Sequence, residues 1–227
     1  NRMYAIAING SPRKGGNTQM LVNTVLDSLK GDGWETEFVQ LGGEMIRGCQ
    51  ACSACFKKKD GTCAFQDDCF QEIYNKILKA DALIIGSPTY YSGVSAEVKA
   101  LCDRVGYVSL ANGRALKGKV GAAVVAVRRG GAIHAYDTIN HMFLMSQMVV
   151  PGTVYWNLGY GLRREDVTND AEALANLQNL AATIPPVAGA IRPLADKWPE
   201  AAGDYSILQS VLINSLSIGS SRWKERL

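Results

Sequence analysis

The sequence predicts an α/β protein built on a doubly wound, five-stranded parallel sheet. Short apolar runs at Met3–Asn9, Ala82–Ser87 and Val120–Val127 read as strands buried on both faces. Each is followed by a stretch with helical apolar spacing. Polar, glycine-rich turns lie where strand hands over to helix. Strand and helix alternating along the whole chain is the pattern of a parallel sheet with crossover helices. With 227 residues, 47% apolar and 20% charged, the chain suits one globular domain with an appendage better than two domains.

Met3–Asn9 runs straight into Gly10-Ser-Pro-Arg-Lys-Gly-Gly-Asn-Thr18. Met20, Leu21, Val25, Leu26 and Leu29 then form a helical stripe, stopped by Gly31-Asp-Gly33. Such a strand–turn–helix aims backbone N–H groups and the positive helix end at one spot, where a phosphate binds. Ser11, Asn17 and Thr18 add donors, and Arg13 and Lys14 add charge. Neither G-x-G-x-x-G nor a G-K-[ST] P-loop is present, so a dinucleotide site or an NTPase is not supported. Trp34–Leu41 reads as the second strand. Asp67-Asp68 can open a helix whose stripe is Phe70, Ile73, Tyr74, Ile77 and Leu78. The strand Ala82–Ser87 leads into Pro88-Thr-Tyr-Tyr-Ser-Gly93, with a helix over Ala96–Val105. Val120–Val127 ends in Arg128-Arg-Gly-Gly131, and the next helix covers Ile133–Val149. Thr153–Asn157 reads as the fifth strand. A last amphipathic helix, Asp170–Ile184, is expected to break at Pro185-Pro186.

The strand order expected is 2-1-3-4-5, the flavodoxin-like arrangement, with the ligand crevice beyond the C-terminal strand ends. Loops 10–18, 88–93 and 128–131 all meet there. Residues 1–190 therefore form the expected domain, carrying a cysteine-rich loop at 42–66. Residues 191–227 form an extension that contains Trp198, Trp223 and the apolar stretch Ile207–Ile218, suited to packing or an oligomer contact.

Loop 42–66 shows no periodicity, and it holds Cys49, Cys52, Cys55 and Cys63. Three cysteines at three-residue spacing with a fourth nearby suit a cubane iron–sulfur cluster held by four thiolates. Tetrahedral zinc also takes four thiolates, though structural zinc sites usually come as two separated pairs. Disulfides or free thiols are the remaining options. Cys69 is a candidate substitute for Cys63, and Cys102 reads as a buried, inert thiol. His134 and His141 fall on one helical face and read as structural or surface residues. Lys57-Lys58-Lys59 is a solvated run that could steer an acidic electron carrier.

A net charge of +3 and the lack of a basic, aromatic-interleaved stripe argue against nucleic acid. No apolar run is long enough to span a bilayer. A strand pattern beginning at Met3 leaves no room for a signal peptide. A reducing, cytoplasmic location is expected, where clustered cysteines bind metal or do redox chemistry.

Ile8–Thr18 and Gly86–Gly93, followed by Lys99 and Asp103-Arg104, resemble the FMN loops of the NAD(P)H-dependent FMN reductase family. With the cysteine loop inserted after the second strand, residues 3–160 resemble the family's iron–sulfur flavoproteins. That resemblance implies an FMN phosphate held by Ser11, Arg13, Lys14, Gly16, Asn17 and Thr18. It implies an isoalloxazine ring bordered by Pro88, Thr89, Tyr90, Tyr91, Ser92 and Gly93, with Arg128, Arg129, Gly130 and Gly131 approaching from the third loop. A guanidinium there would favour an anionic reduced flavin. It further implies a 4Fe-4S cluster on Cys49, Cys52, Cys55 and Cys63, and a homodimer or homotetramer with flavin near subunit contacts. The expected activity is flavin-dependent oxidoreduction, from a ferredoxin-like one-electron carrier to a small acceptor such as a quinone or an oxygen species. A non-enzymatic electron carrier, and a cluster-free NAD(P)H-dependent FMN or quinone reductase with a zinc or thiol site, are the alternatives.

Overall fold

Alternation along β1 (Tyr4–Asn9) divides the molecule into two layers: Ala5 and Ala7 face one, Ile6 and Ile8 the other. The computed structural model describes residues 2–199. Its sheet adds β2 (Glu35–Gln40), β3 (Ala82–Pro88), β4 (Val120–Val127) and β5 (Leu158–Tyr160), ordered β2-β1-β3-β4-β5 and parallel throughout. This is the flavodoxin-like order that the alternation predicts.

Helix α1 (Asn17–Gly31) and helix α6 (Ala171–Ile191) cover the first layer, where the sheet presents Ala5, Ala7, Ala82, Ala122 and Ala126. Small side chains let α1 lie close to the sheet, with Leu21, Val22, Val25 and Leu29 fully buried. The other face carries larger residues, Ile6, Ile8, Leu83, Ile85 and Val125. It is covered by α3 (Phe70–Lys79), α4 (Ala96–Ala111) and α5 (Ala132–Met145). A short helix, α2 (Ala54–Lys58), lies inside the cysteine loop and buries Cys55 and Phe56 in this second core. Nothing in the loop's aperiodic sequence announced that helix.

Two expectations need correction. Thr153–Trp156 stays outside the sheet, and Val154, Tyr155 and Trp156 are exposed. The ladder to β4 begins where the Val125 N–H donates to the Asn157 carbonyl, and it continues through Leu158–Tyr160. Asn157 is held by its own amide, which donates to the Ala123 carbonyl while Asn176 donates to its side-chain oxygen. A buried polar anchor, not the apolar run before it, sets the start of β5. The second correction concerns Pro185 and Pro186, which do not end α6. They lie on its half-exposed and exposed side, so their rings stay out of the core. Beyond them Ala188 is buried again on the α1 face. After α6, a 3-10 turn spans Arg192–Lys197, and Trp198 packs beside Gly118. Trp223 and Ile207–Ile218 lie outside the described residues.

Since α6 docks on both sides of its proline pair, Ala188→Glu should place a charge in the core and destabilise the fold by several kcal/mol. Urea unfolding checks this. An unchanged midpoint would mean that the helix is not docked beyond Ile184.

Candidate functional site

Two pockets sit on the loops that the sheet brings to its C-terminal edge, and they share no lining residue. The first, about 180 Å³, lies where the ends of β1, β3 and β4 meet the start of α1. Ser11, Arg13, Asn17, Thr18, Pro88, Thr89, Tyr90 and Arg128 line it, together with Ala126, Val127, Gly161 and Leu162. Of the residues expected here, Lys14, Gly16, Tyr91, Ser92, Gly93, Arg129, Gly130 and Gly131 do not line this pocket.

Local hydrogen bonds shape the loop. Asn9 accepts from the Ser11 N–H at 3.2 Å, and Gln40 donates to the Ser11 carbonyl at 2.7 Å. Gly16, the N-cap of α1, provides no side-chain cap, so first-turn N–H groups are left for a ligand. The Asn17 amide nitrogen donates to the Arg163 carbonyl, which leaves its buried amide oxygen without a partner. Open backbone donors beside one orphaned acceptor fit a phosphate ester that also carries hydroxyls. A Cβ on Gly42 would lie 2.2 Å from the Ser11 carbonyl carbon, so only glycine lets the cysteine loop start against this turn.

The second loop closes as a tight turn in which Tyr90 and Gly93 exchange backbone hydrogen bonds of 2.9 and 2.8 Å. Its central residues, Tyr91 and Ser92, are both left-handed. Left-handed non-glycine residues concentrate at functional sites, because other structure must hold them there. Tyr91 is fully exposed, its ring turned to solvent, whereas Tyr90 reaches the pocket. Arg128 and Arg129 are exposed.

The loop after β5 was not anticipated. Gly161 and Leu162 line the pocket, and Arg164 Nε donates to the Gly15 carbonyl at 3.1 Å. With Asn17 bonded to Arg163, this segment latches the turn at 10–18 from the far side. Correct placement of β5 would have revealed it, since the switch-point crevice collects the loops at strand ends.

Cys49, Cys52, Cys55 and Cys63 all line the second pocket, about 20 Å³, with Ser53, Phe65, Arg104 and Tyr107. Among the described residues no three His, Cys, Asp or Glu side chains are gathered as closely as the ligands of a single metal ion. The donor set nonetheless fits a thiolate-held group. Ala51 and Ser53, on either side of Cys52, are left-handed, and the Ala51 N–H donates to Cys49 Sγ at 3.5 Å. Backbone turned this way gathers N–H groups around an anion or an iron–sulfur centre. Burial pushes the Cys55 thiol up, the Phe56 N–H pulls it partly back, and Cys52 and Cys49 raise it further. Bound cations are what such a set needs to hold its thiols deprotonated. Cys49 and Cys52 are exposed, so the site opens to solvent.

Arg104 of α4 closes this pocket. Its side chain is 1% exposed and pairs with Asp68, itself 0% exposed. The guanidinium also donates to the Arg47 and Phe65 carbonyls, on the two flanks of the cysteine loop, and lies 4.1 Å over the Phe70 ring. Asp68 accepts from the backbone N–H groups of Arg47 and Phe70. Burial pulls both groups toward neutrality, but Arg104 and the two N–H donors keep Asp68 below the usual carboxylate range. Asp68 and Cys63 hold Arg104 above its usual value. Arg104 was noticed in the sequence only as a neighbour of the flavin loops; the structure assigns it to the cysteine loop. Lys99 and Asp103 pair with each other on the surface.

The other candidates are peripheral. Cys69 is half-buried and lines neither pocket. Cys102 is buried within α4, its thiol pushed up to about 12 by desolvation. His134 and His141 are exposed. Among the described residues no helix is long and apolar enough to cross a membrane.

Comparison with known proteins gives a consistent picture. The family model for NADPH-dependent FMN reductase matches residues 3–162. An iron–sulfur flavoprotein of Methanocaldococcus jannaschii is 37% identical over 197 residues, covering 84% of this chain and all of its own. An iron–sulfur flavoprotein of Methanosarcina thermophila is 36% identical, covering 68% of this chain and 83% of its own. Among solved structures, RosB with a bound 8-demethyl-8-formylriboflavin-5'-phosphate superposes with a TM-score of 0.68 at 18% identity, covering 94% of this chain and 87% of that one. The Trp repressor binding protein of Bacillus subtilis gives 0.58 at 23%, covering 78% and 98%. Likeness at those identities concerns the fold alone.

Asp68→Asn should strand the Arg104 charge in the core and cost about 3–5 kcal/mol. Anaerobic urea unfolding of the metal-free, reduced protein is the measurement. Because folding lowers the Asp68 value, its contribution is present above the unfolded carboxylate value near pH 4 and is lost as pH falls through the folded one. Wild type should therefore lose its advantage over the variant progressively below about pH 4.

Proposed function

Since the chain belongs to the NADPH-dependent FMN reductase family, in its iron–sulfur flavoprotein branch, we propose that it is an oxidoreductase using FMN and a 4Fe-4S cluster. When bound, the flavin exchanges electrons in pairs and the cluster passes them singly, so the two together link a one-electron carrier to a two-electron acceptor. One observation carries the reading: all four spaced cysteines line a single solvent-open pocket in the same chain as an uncapped helix-N-terminal turn suited to a phosphate ester.

In this proposal Ser11, Asn17 and Thr18 hold the phosphate and ribityl end, with Arg13 adding charge at the mouth. The pocket is smaller than the roughly 300–1,000 Å³ that usually encloses a ligand. It therefore suits that end of the molecule, and the ring would lie outward along Thr89–Gly93, flanked by Tyr90 and approached by Arg128. Cys49, Cys52, Cys55 and Cys63 hold the cluster, with Cys69 and Cys102 outside it. Lys57, Lys58 and Lys59 of the cysteine loop are exposed and present positive charge to an acidic, ferredoxin-like donor. Two single-electron deliveries and two solvent protons would reduce one quinone to its hydroquinone. No acid–base pair of side chains is required of the protein, whose part is to position the cofactors and shield them.

Anaerobically purified protein should contain about four irons and one FMN per chain. Cys52→Ala should lose most of the iron and sulfide while retaining the flavin, as read by metal analysis and the visible spectrum. Zinc in place of iron in wild type would refute the cluster assignment. Turnover of a quinone with reduced ferredoxin supports an enzyme; reduction of the flavin by ferredoxin with no small acceptor turned over would favour a carrier between proteins.

A further inference from the structure

Five buried side-chain polar atoms among the described residues have no hydrogen-bond partner: Asn17 Oδ1, Ser53 Oγ, Tyr74 OH, Arg104 Nε and Asn140 Oδ1. Buried polar groups are nearly always paired, so a group of orphans in one place calls for a missing partner. Three of the five, Ser53, Tyr74 and Arg104, gather at the cysteine loop, and all three are donors. Ser53 and Arg104 line the four-cysteine pocket itself. Tyr74 lies in the same buried cluster as Cys55, on α3, whose Gln71 donates to the Gly61 carbonyl of the loop.

Their surroundings show that none is an accident of poor packing. Every other guanidinium nitrogen of Arg104 has an oxygen partner, so Nε alone is left over. Ser53 is held left-handed at the N-cap of α2, yet its hydroxyl does not cap the helix. A serine at that position ordinarily accepts from the first-turn N–H groups. Tyr74 stacks on Phe70, and Arg104 lies over the other ring in that stack. Such a stack fixes the tyrosine and the arginine against each other.

We propose that Ser53 Oγ, Arg104 Nε and Tyr74 OH are positioning donors to the sulfur atoms of the four-cysteine site and raise its reduction potential. The proposal rests on the cluster reading above. Each added electron puts negative charge on sulfur, and a hydrogen bond to an ionised acceptor is stronger than one to a neutral acceptor. Donors fixed in a desolvated wall therefore favour the reduced form. Three donors from three elements, the cysteine loop, α3 and α4, place this control in the fold rather than in the ligand spacing.

The test uses full-length, cluster-loaded protein, with Ser53→Ala and Tyr74→Phe as the principal variants, because each removes one hydroxyl that the protein alone does not use. Removing an orphaned hydroxyl leaves the metal-free protein as stable or more so. In the loaded protein each variant should shift the reduced-to-oxidised ratio at fixed applied potential about tenfold toward oxidised, that is by about 59 mV for one electron. Dithionite titration followed by electron paramagnetic resonance reads that ratio, and resonance Raman should show altered iron–sulfur stretching. Arg104→Lys, which also disturbs the loop, should shift it in the same direction. Unchanged potentials and unchanged Raman bands in both principal variants, with iron and sulfide still at wild-type content, would overturn the proposal. Wild-type protein without iron and sulfide would instead overturn the cluster reading itself.

Discussion

The buried pair of Arg104 and Asp68 is the interaction on which the cysteine loop depends. A charged pair taken wholly from water is costly, and attraction alone seldom compensates. Here most of the remaining hydrogen-bonding capacity goes to the loop: two guanidinium donors reach the Arg47 and Phe65 carbonyls, and the carboxylate takes the Arg47 and Phe70 N–H groups. Residues before Cys49 and after Cys63 are thus tied to one point on α4. What lies between them needs no regular structure to stay in place. Breaking either partner leaves an uncompensated charge and frees both flanks together.

The pocket at the ends of β1, β3 and β4 is built on different physics. There the sheet does the positioning, because parallel strands end at one edge and bring their loops along. Alanines on the α1 face let that helix sit close to the sheet, so its first turn opens onto the ends of β1 and β3. Gly42 allows the cysteine loop to begin in contact with Ser11 and Pro12. The cysteine loop thus starts against the first pocket's turn, yet the two pockets share no lining residue.

Much of this was legible in the sequence because β1, β3 and β4 are buried on both faces and so read as plain apolar runs. The turn at 10–18 stood out for a related reason: it is rich in glycine and side-chain donors and directly follows a buried strand. The fifth strand was not, since its place is fixed by Asn157, a polar residue bonded to Ala123 and Asn176 far along the chain. Val154-Tyr-Trp156 looks like a strand and lies exposed instead. The same error concealed Gly161 and Leu162. Pro185-Pro186 misled because a proline's cost depends on which side of the helix it faces. Arg104 could not be assigned from spacing, as its partners lie 36 to 57 residues away.

Those separations bear on how the protein matures. Closing a long loop is entropically unfavourable until the contacts that reward it exist. The anchors of the cysteine loop exist only once α4 is docked on the sheet, so the scaffold must form before the loop's two flanks are tied together. On the proposed cluster reading, loading of iron and sulfide would be a late event on an already folded protein, entered from the side where Cys49 and Cys52 lie exposed.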